Sequence, residues 1–70
     1  MKRSDKLSKM LMNKRMEKNL NLHEAAKEIG IDYVTLWKIE SKGYTNISYE
    51  TARKIAKFLE ITEKEVRETL

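Results

Sequence analysis

The fold is decided by residues 20–43, which read LNLHEAAKEIGIDYVTLWKIESKG. The first half predicts a short helix over 22–29, because Asn21 can accept a hydrogen bond from the free backbone N–H groups at its start. Glu24 can complete a capping box with it, and the small, apolar side chains of the inner face permit close contact with another helix. Gly30 is expected to end this helix, since glycine adopts the left-handed conformation of a helix C-terminus with little strain.

A second helix is predicted over 33–41, after a turn of three residues. Asp32 is a potential N-cap residue, and Leu36 and Ile39 are spaced so that both lie on the inner face. A loop is predicted over 41–47. Helical periodicity turns the other side chains outward, and several of these are large and apolar, which is uncommon on the surface of a small helix. The outward side chains are those of Tyr33, Val34, Trp37, Lys38 and Ser41.

Three further helices are predicted on either side of this segment. Ser4 can cap a helix over 5–18, and Ser48 can cap another over 49–59. A capping box that starts at Thr62 opens a short fifth helix. No segment shows the alternation of apolar and polar residues that is typical of a strand. The side chains expected to face the core from the first and fourth helices are Leu7, Met10, Leu11, Ala52, Ile55, Ala56 and Leu59, and the fifth helix contains Val66 and Leu70.

The composition limits the class of protein. A chain of 70 residues has room for one domain, so we expect a single all-α domain of five helices over residues 1–70. There is no Cys, which excludes disulfides and thiolate chemistry. No apolar run is long enough to cross a membrane or to form the core of a signal peptide. We therefore expect a soluble, cytoplasmic protein.

Catalysis is not expected from these residues. The chain has one His and no glycine-rich phosphate-binding loop. Its carboxylates stand beside lysines at helical spacing, as they do on solvated helix faces. His23 has no set of partners that could complete a metal site. We expect neither a metal ion nor a cofactor, and no enzymatic activity.

The positive charge is concentrated near the N-terminus. The formal net charge is +4, and residues 1–19 hold seven Lys or Arg against two acidic residues. Residues 20–47 hold three basic and four acidic residues, and residues 48–70 hold five of each. A basic N-terminal third suits a polyanionic partner such as nucleic acid. A solvated basic helix that aids solubility would have the same charge.

Several residues in and around the two-helix segment match one known pattern. Ala26, the turn residue Gly30, Leu36 in the middle of the following helix and Glu40 before the loop all stand where the phage-repressor and Cro-type (lambda-repressor-like, XRE) helix-turn-helix family has them. The chain resembles that family over roughly residues 7–66. The other matching positions are Leu11, Arg15, Thr51, Ile55, Ala56 and Leu59.

The resemblance implies that helices two and three form a helix-turn-helix that binds double-stranded DNA sequence-specifically. It implies a transcriptional repressor or regulator of phage or mobile-element type, acting at a pseudo-palindromic operator. In such proteins the N-terminal part of the second helix of the motif enters the major groove. The base-reading positions are then Tyr33, Val34, Trp37 and Lys38. The positions expected to contact the DNA backbone are Asn21, His23, Lys42, Tyr44, Thr45 and Asn46.

Trp37, His23 and the loop after Glu40 each have an alternative interpretation. A lone Trp is usually largely buried, so Trp37 could instead turn into the core. His23 could simply face solvent in the first turn of its helix, and the loop after Glu40 could be a mobile polar turn. Leu22 departs from the family, which often has at this position a Gln that touches the DNA backbone. That contact cannot be made here.

The resemblance also implies a partly buried ion pair between Arg15 and Glu40. A planar guanidinium group matches a carboxylate through two parallel hydrogen bonds, and a pair of this kind tolerates partial burial. The alternative is that both side chains are ordinary surface charges.

A homodimer is expected on DNA, because one recognition helix covers too few base pairs to select a site in a genome. The basic first helix would repel its own copy, and the recognition face must meet DNA. The fourth and fifth helices and the segment between them remain for the contact between subunits. The expected contact residues are Phe58, Ile61, Val66 and Leu70.

A protein-binding module on the same fold is the alternative function. An antirepressor-like protein would use the apolar outer face of helix 33–41, since Trp and Tyr are favoured at the centres of protein interfaces. No membrane partner is expected, because the apolar residues of the basic first helix are needed to close so small a core.

Overall fold

Residues 4–70, which the computed structural model describes, fold into five α-helices without a strand. The predicted all-α, five-helix class is therefore confirmed. Residues 1–3, which belong to the predicted domain and include two of the N-terminal basic residues, lie outside the described part. The helices are α1 (Asp5–Glu17), α2 (Leu22–Ile29), α3 (Tyr33–Lys42), α4 (Tyr49–Leu59) and α5 (Glu63–Thr69).

Side-chain caps start four of the five helices. The side chain of Ser4 accepts a hydrogen bond from the backbone N–H of Leu7, and Ser48 caps α4 in the same way. Asn21 and Thr62 each open a capping box, with both reciprocal hydrogen bonds formed. Asp32 is the exception, because it stands at the N-cap position of α3 without a side-chain capping hydrogen bond. The predicted cap at Asp32 is therefore wrong.

Helix α3 is slightly longer than the sequence predicts. It continues through Ser41 to Lys42 and ends at Gly43, whose φ is +63°. The loop therefore begins at Gly43 rather than at residue 41. Ser4 ties this point to the start of α1, since its backbone N–H donates to the Gly43 carbonyl at 2.9 Å, while its hydroxyl donates to the Thr69 carbonyl at the end of α5.

The hydrophobic core receives side chains from every helix. Leu7, Leu36, Ile39, Ile55 and Val66 have no exposed surface, and burial of each such side chain stabilises the fold by about 1.5–3 kcal/mol relative to exposure. Met10, which its spacing predicts in the core, is only partly buried and packs against the core edge, as does Leu70. The remaining core members are Leu11, Ala25, Ala26, Ile29, Ala52, Ala56, Phe58 and Leu59.

The turn between α2 and α3 is closed at Gly30. Its φ is +90°, and its N–H donates to the Ala26 carbonyl at 2.8 Å, as does the N–H of Ile31 at 3.0 Å. The Lys54 ammonium of α4 donates to the Gly30 carbonyl at 3.1 Å. The turn that sets the angle between α2 and α3 is thus held both by its own backbone and by α4.

We expect Gly30→Ala to lower the free energy of unfolding by about 1–2 kcal/mol, because an L-residue is strained in the left-handed conformation. The added Cβ would meet the Lys54 Cδ at 3.8 Å, an ordinary contact, so the backbone alone causes the loss. Urea denaturation followed by circular dichroism measures it. Gly30→Asn is the matched control and should lose less, since Asn tolerates this conformation better than Ala. Equal stability of Gly30→Ala and the parent protein would contradict the prediction.

Candidate nucleic-acid interface

The outer face of α3 exposes large side chains that the core does not use. Leu36 and Ile39 point inward with no exposed surface, whereas Val34 is 56% exposed and Tyr33 and Trp37 are each 37% exposed. Trp37 is thus a surface residue, and the alternative in which it joins the core is wrong. Lys38 and Ser41 are also exposed. Five outward side chains therefore stand along one helix.

Ring contacts hold the aromatic side chains of this face in place. The rings of His23 and Tyr33 are stacked, with centroids 3.9 Å apart and planes within 8° of parallel. The Lys42 ammonium lies 5.5 Å from the centroid of the Trp37 ring, a distance at which a cation is attracted to the ring face. Tyr33 and Trp37 are therefore supported on the surface by neighbours rather than by the core.

The charges of α3 are divided between its two faces. Lys38 and Lys42 are exposed, whereas Glu40, the one acidic residue in the helix, is buried. Asp32 is exposed just before the helix begins. Beyond that N-cap residue, the outward charge of α3 is positive, which suits a polyanion.

Arg15 neutralises the inward charge of Glu40. Its Nη2 lies 3.1 Å from Glu40 Oε1, and its Nε lies 3.2 Å from Oε2. The Arg15 side chain is 20% exposed and that of Glu40 only 4%. Arg15 Nη1 also donates to the Leu20 carbonyl at 3.1 Å, and the Ser8 hydroxyl donates to the Glu40 carbonyl. These contacts fix α3 against α1, so the position of the outer face of α3 depends on them.

The structure places the candidate backbone contacts on both sides of the α3 face. At the start of α2, Asn21 is occupied in the capping box, and His23 stacks on Tyr33 instead of standing alone in solvent. On the other side, the Lys38 ammonium lies 5.6 Å from the centroid of the Tyr44 ring, and the Tyr44 N–H donates to the Lys38 carbonyl at 3.2 Å. Thr45 and Asn46 continue this loop, the first partly buried and the second exposed.

Two of the residues predicted for a contact between subunits are core residues. Val66 has no exposed surface and Phe58 is 8% exposed, with the Lys18 ammonium 5.5 Å from the centroid of its ring. Both close the core where α4 and α5 pack together, so the prediction is wrong for them. Ile61 and Leu70 pack against the core edge and keep part of their surface exposed.

Two side-chain contacts of α4 have no clear sequence signal. Lys54 supports the turn through the Gly30 carbonyl, and nothing in its local pattern distinguishes it from other helix lysines. Tyr49 is 58% exposed, with the Arg67 guanidinium 4.6 Å from the centroid of its ring. Its apolar character alone would have placed it in the core.

Two other kinds of site find no support in the described residues. Between residues 4 and 70, no three His, Asp or Glu side chains lie close enough together to hold a metal ion. In the same part of the chain, no helix is long and apolar enough to cross a bilayer.

Comparisons with known proteins agree with this geometry. A family model described as helix-turn-helix (HTH_3) matches residues 11–66, whereas among curated proteins no sequence matches the chain. The fold is similar to that of a chain in the C.Esp1396I nucleoprotein complex, with a TM-score of 0.68 and 23% identity over 91% of this chain and 82% of that one. The chain therefore belongs to the helix-turn-helix family of XRE type, a family of DNA-binding transcription regulators.

Proposed function

We propose that the protein is a sequence-specific regulator of transcription, of the kind found in phages and mobile elements, which inserts α3 into the major groove of double-stranded DNA. One observation carries the proposal. The outer face of α3 exposes Tyr33, Val34, Trp37 and Lys38 while the acidic residue of the helix is turned inward and paired. The nucleoprotein complex that has a similar fold supports DNA as the partner.

The four outward residues in the first two turns of α3 are proposed to read bases. Lys38 can donate to the acceptor atoms of guanine, and Tyr33 can donate through its hydroxyl group. Val34 can contact the methyl group of thymine. Trp37 can donate its indole N–H to a base edge or pack on the sugar-phosphate backbone.

Residues on both sides of α3 are proposed to hold the DNA backbone. Asn21 and His23 lie at the N-terminus of α2, where free N–H groups attract a phosphate. Lys42 lies at the other end of α3, and the loop of Tyr44, Thr45 and Asn46 follows it. Contacts of this kind set the orientation of the protein on the duplex without reading its sequence.

We expect Lys38→Ala and Tyr33→Ala each to weaken binding to the specific site by about 1–3 kcal/mol, because each removes a contact to a base edge. The measurement is fluorescence anisotropy with a duplex enriched from a random pool, beside a random duplex of equal length. Lys57→Ala, which removes an exposed lysine of α4, is the matched control and should leave specificity unchanged. An equal loss on specific and random duplexes would show that neither residue reads bases.

A protein-binding function is the second candidate, and the exposure of Trp37 and Tyr33 favours it. The salt dependence of binding distinguishes the two functions. The logarithm of a DNA-binding constant falls by about 0.9 for each neutralised phosphate per unit of log salt concentration, whereas an apolar protein interface hardly responds. Binding to duplex DNA that is insensitive to salt would contradict the proposed function.

The protein is further proposed to bind a pseudo-palindromic operator as a homodimer. One copy of α3 is too short to select a site in a genome, and two copies must reach successive major grooves. With Phe58 and Val66 in the core, Ile61 and Leu70 are the candidates that keep exposed surface for the contact between subunits. Their small area suggests that the dimer forms mainly on DNA.

A further inference from the structure

We infer that His23 is a positioning residue for the Tyr33 ring and that it makes DNA binding proton-linked, so that affinity rises as the pH falls. The inference rests on the proposed function. It adds to that function a residue that acts through its aromatic neighbour, and a dependence of DNA binding on pH.

The stack of His23 on Tyr33 joins the two helices of the motif outside the core. His23 is the second residue of α2 and Tyr33 is the first residue of α3, and both side chains are exposed. Their ring centroids are 3.9 Å apart, and their planes lie within 8° of parallel. Since the core does not hold Tyr33, the stack is the contact that restricts its ring before DNA binds. A restricted side chain loses less conformational entropy on binding.

The stack uses the face of the imidazole ring and leaves both ring nitrogens at its edge. A histidine with a proton on each nitrogen donates two hydrogen bonds, whereas the neutral form donates one. A positive ring is also attracted to the negative face of the Tyr33 ring, as other cations are to aromatic faces. The protonated form of His23 therefore suits both a phosphate at the ring edge and the stack on Tyr33.

DNA changes the balance between the two forms of His23. Tyr33 lies on the face proposed to enter the major groove, so its stacking partner comes close to the phosphates of the duplex. The negative charge of a phosphate favours the positive form of the imidazole. The complex then holds more protons than the free protein and the free DNA together. By linkage, the affinity rises as the pH falls through the range in which a histidine changes its charge, about pH 5–8.

The other charged groups around His23 keep their charge in this range. Helix α2 packs against α3 and α4. The charged residues on α2 beside His23, before α3 and on α4 are Glu24, Lys27, Asp32, Glu50 and Lys54. Carboxylates stay negative, lysines stay positive and the tyrosine phenol stays neutral between about pH 5 and 8. His23 is the one histidine of the chain, so the proton taken up on binding is assigned to it.

The test measures affinity between about pH 5.5 and about pH 7.5 at constant ionic strength, by fluorescence anisotropy with a duplex that the full chain enriches from a random pool. We expect the affinity of the parent protein to rise about fivefold as the pH falls, the effect of one phosphate close to one positive charge in water. His23→Phe keeps an aromatic ring for the stack but cannot take up a proton, so its affinity should not change with pH. Tyr33→Phe keeps both rings and should retain the dependence on pH.

A second measurement tests the positioning role. At a base pair where Tyr33→Ala loses discrimination, His23→Ala should reduce the preference about threefold, the effect of ordering one side chain on binding. His23→Phe should retain the preference. Full discrimination in either alanine variant would overturn the positioning role.

Two results would overturn the proton linkage and leave the proposed function intact. One is an affinity of the parent protein that does not change with pH, and the other is an equal pH dependence of the parent protein and His23→Phe. Failure to enrich any duplex would overturn the proposed function as well.

Discussion

Arg15→Ala is expected to lower the free energy of unfolding by about 3 kcal/mol. Removal of one partner from a buried ion pair destabilises a protein by about 3–5 kcal/mol, because the other charge stays buried without compensation. Glu40 is that partner, with 4% of its side chain exposed. The 20% exposure of Arg15 admits some water, so we expect the lower end of the range. The Leu20 carbonyl loses its donor in the same variant. Urea denaturation followed by circular dichroism measures the change.

Lys14→Ala is the matched control on the same helix. Lys14 pairs with Glu60 at 3.3 Å, but the Glu60 side chain is 75% exposed and stays hydrated when its partner is removed. An exposed pair contributes about 1 kcal/mol at most. The double variant Arg15→Met with Glu40→Leu should be more stable than Arg15→Ala, since it leaves no buried charge. Equal melting temperatures for Arg15→Ala and Lys14→Ala would contradict this role of the pair.

Loss of one half-site from a palindromic operator is expected to weaken DNA binding by about 100- to 10,000-fold. This is the gain in affinity that a second, linked binding contact gives. The two half-sites should lie about 34–36 Å apart, one turn of the duplex. Titration of the protein against the palindrome, and against a duplex with one half scrambled, measures the difference. An insertion of about five base pairs between the halves is the control, because it places them on opposite sides of the duplex.

The surface proposed to join the subunits can be tested in the same assay. Leu70→Lys places a charge on partly exposed surface at the end of α5. It should weaken binding to the palindrome while binding to the isolated half-site stays unchanged. Tight binding of one monomer to a half-site, without any gain from the palindrome, would refute the dimer.

The helix starts could be predicted because capping is local. Ser4, Asn21, Ser48 and Thr62 each receive a hydrogen bond from a backbone group three residues later, so a short stretch of sequence contains both partners. Asp32 has the residue type and the position but not the bond. Exposure does not account for the difference, because Asn21, Ser48 and Thr62 are exposed as well and form their capping hydrogen bonds.

The contacts that build the interface depend on tertiary packing. Arg15 and Glu40 are 25 residues apart, and no local pattern pairs them; the resemblance to a family supplied the expectation. The stack of His23 on Tyr33 arises from the angle between α2 and α3, which neither residue type reveals. Tyr33 could be placed on the outer face by helical periodicity, but the partner that holds its ring could not.

The residues of the proposed dimer contact show another limit of sequence analysis. Apolar side chains of the same kind fill a core and cover an interface. On α4 and α5, helical periodicity could not decide between these two roles for Phe58 and Val66. The structure assigns both to the core, because α4 and α5 pack together at these residues. Ile61 and Leu70 lie at the edge of the same packing and keep exposed surface.

The outer face of α3 has a consequence for how such a protein can change during evolution. Its exposed side chains lie outside the hydrophobic core, and substitutions at such surface positions usually change stability by only about 0.5 kcal/mol. Val34 or Trp37 can therefore be substituted while the free energy of unfolding stays above the value that the protein needs to fold. Under the proposed function, each such change would redirect the protein to another DNA sequence, so new targets would arise one substitution at a time while the scaffold stays the same.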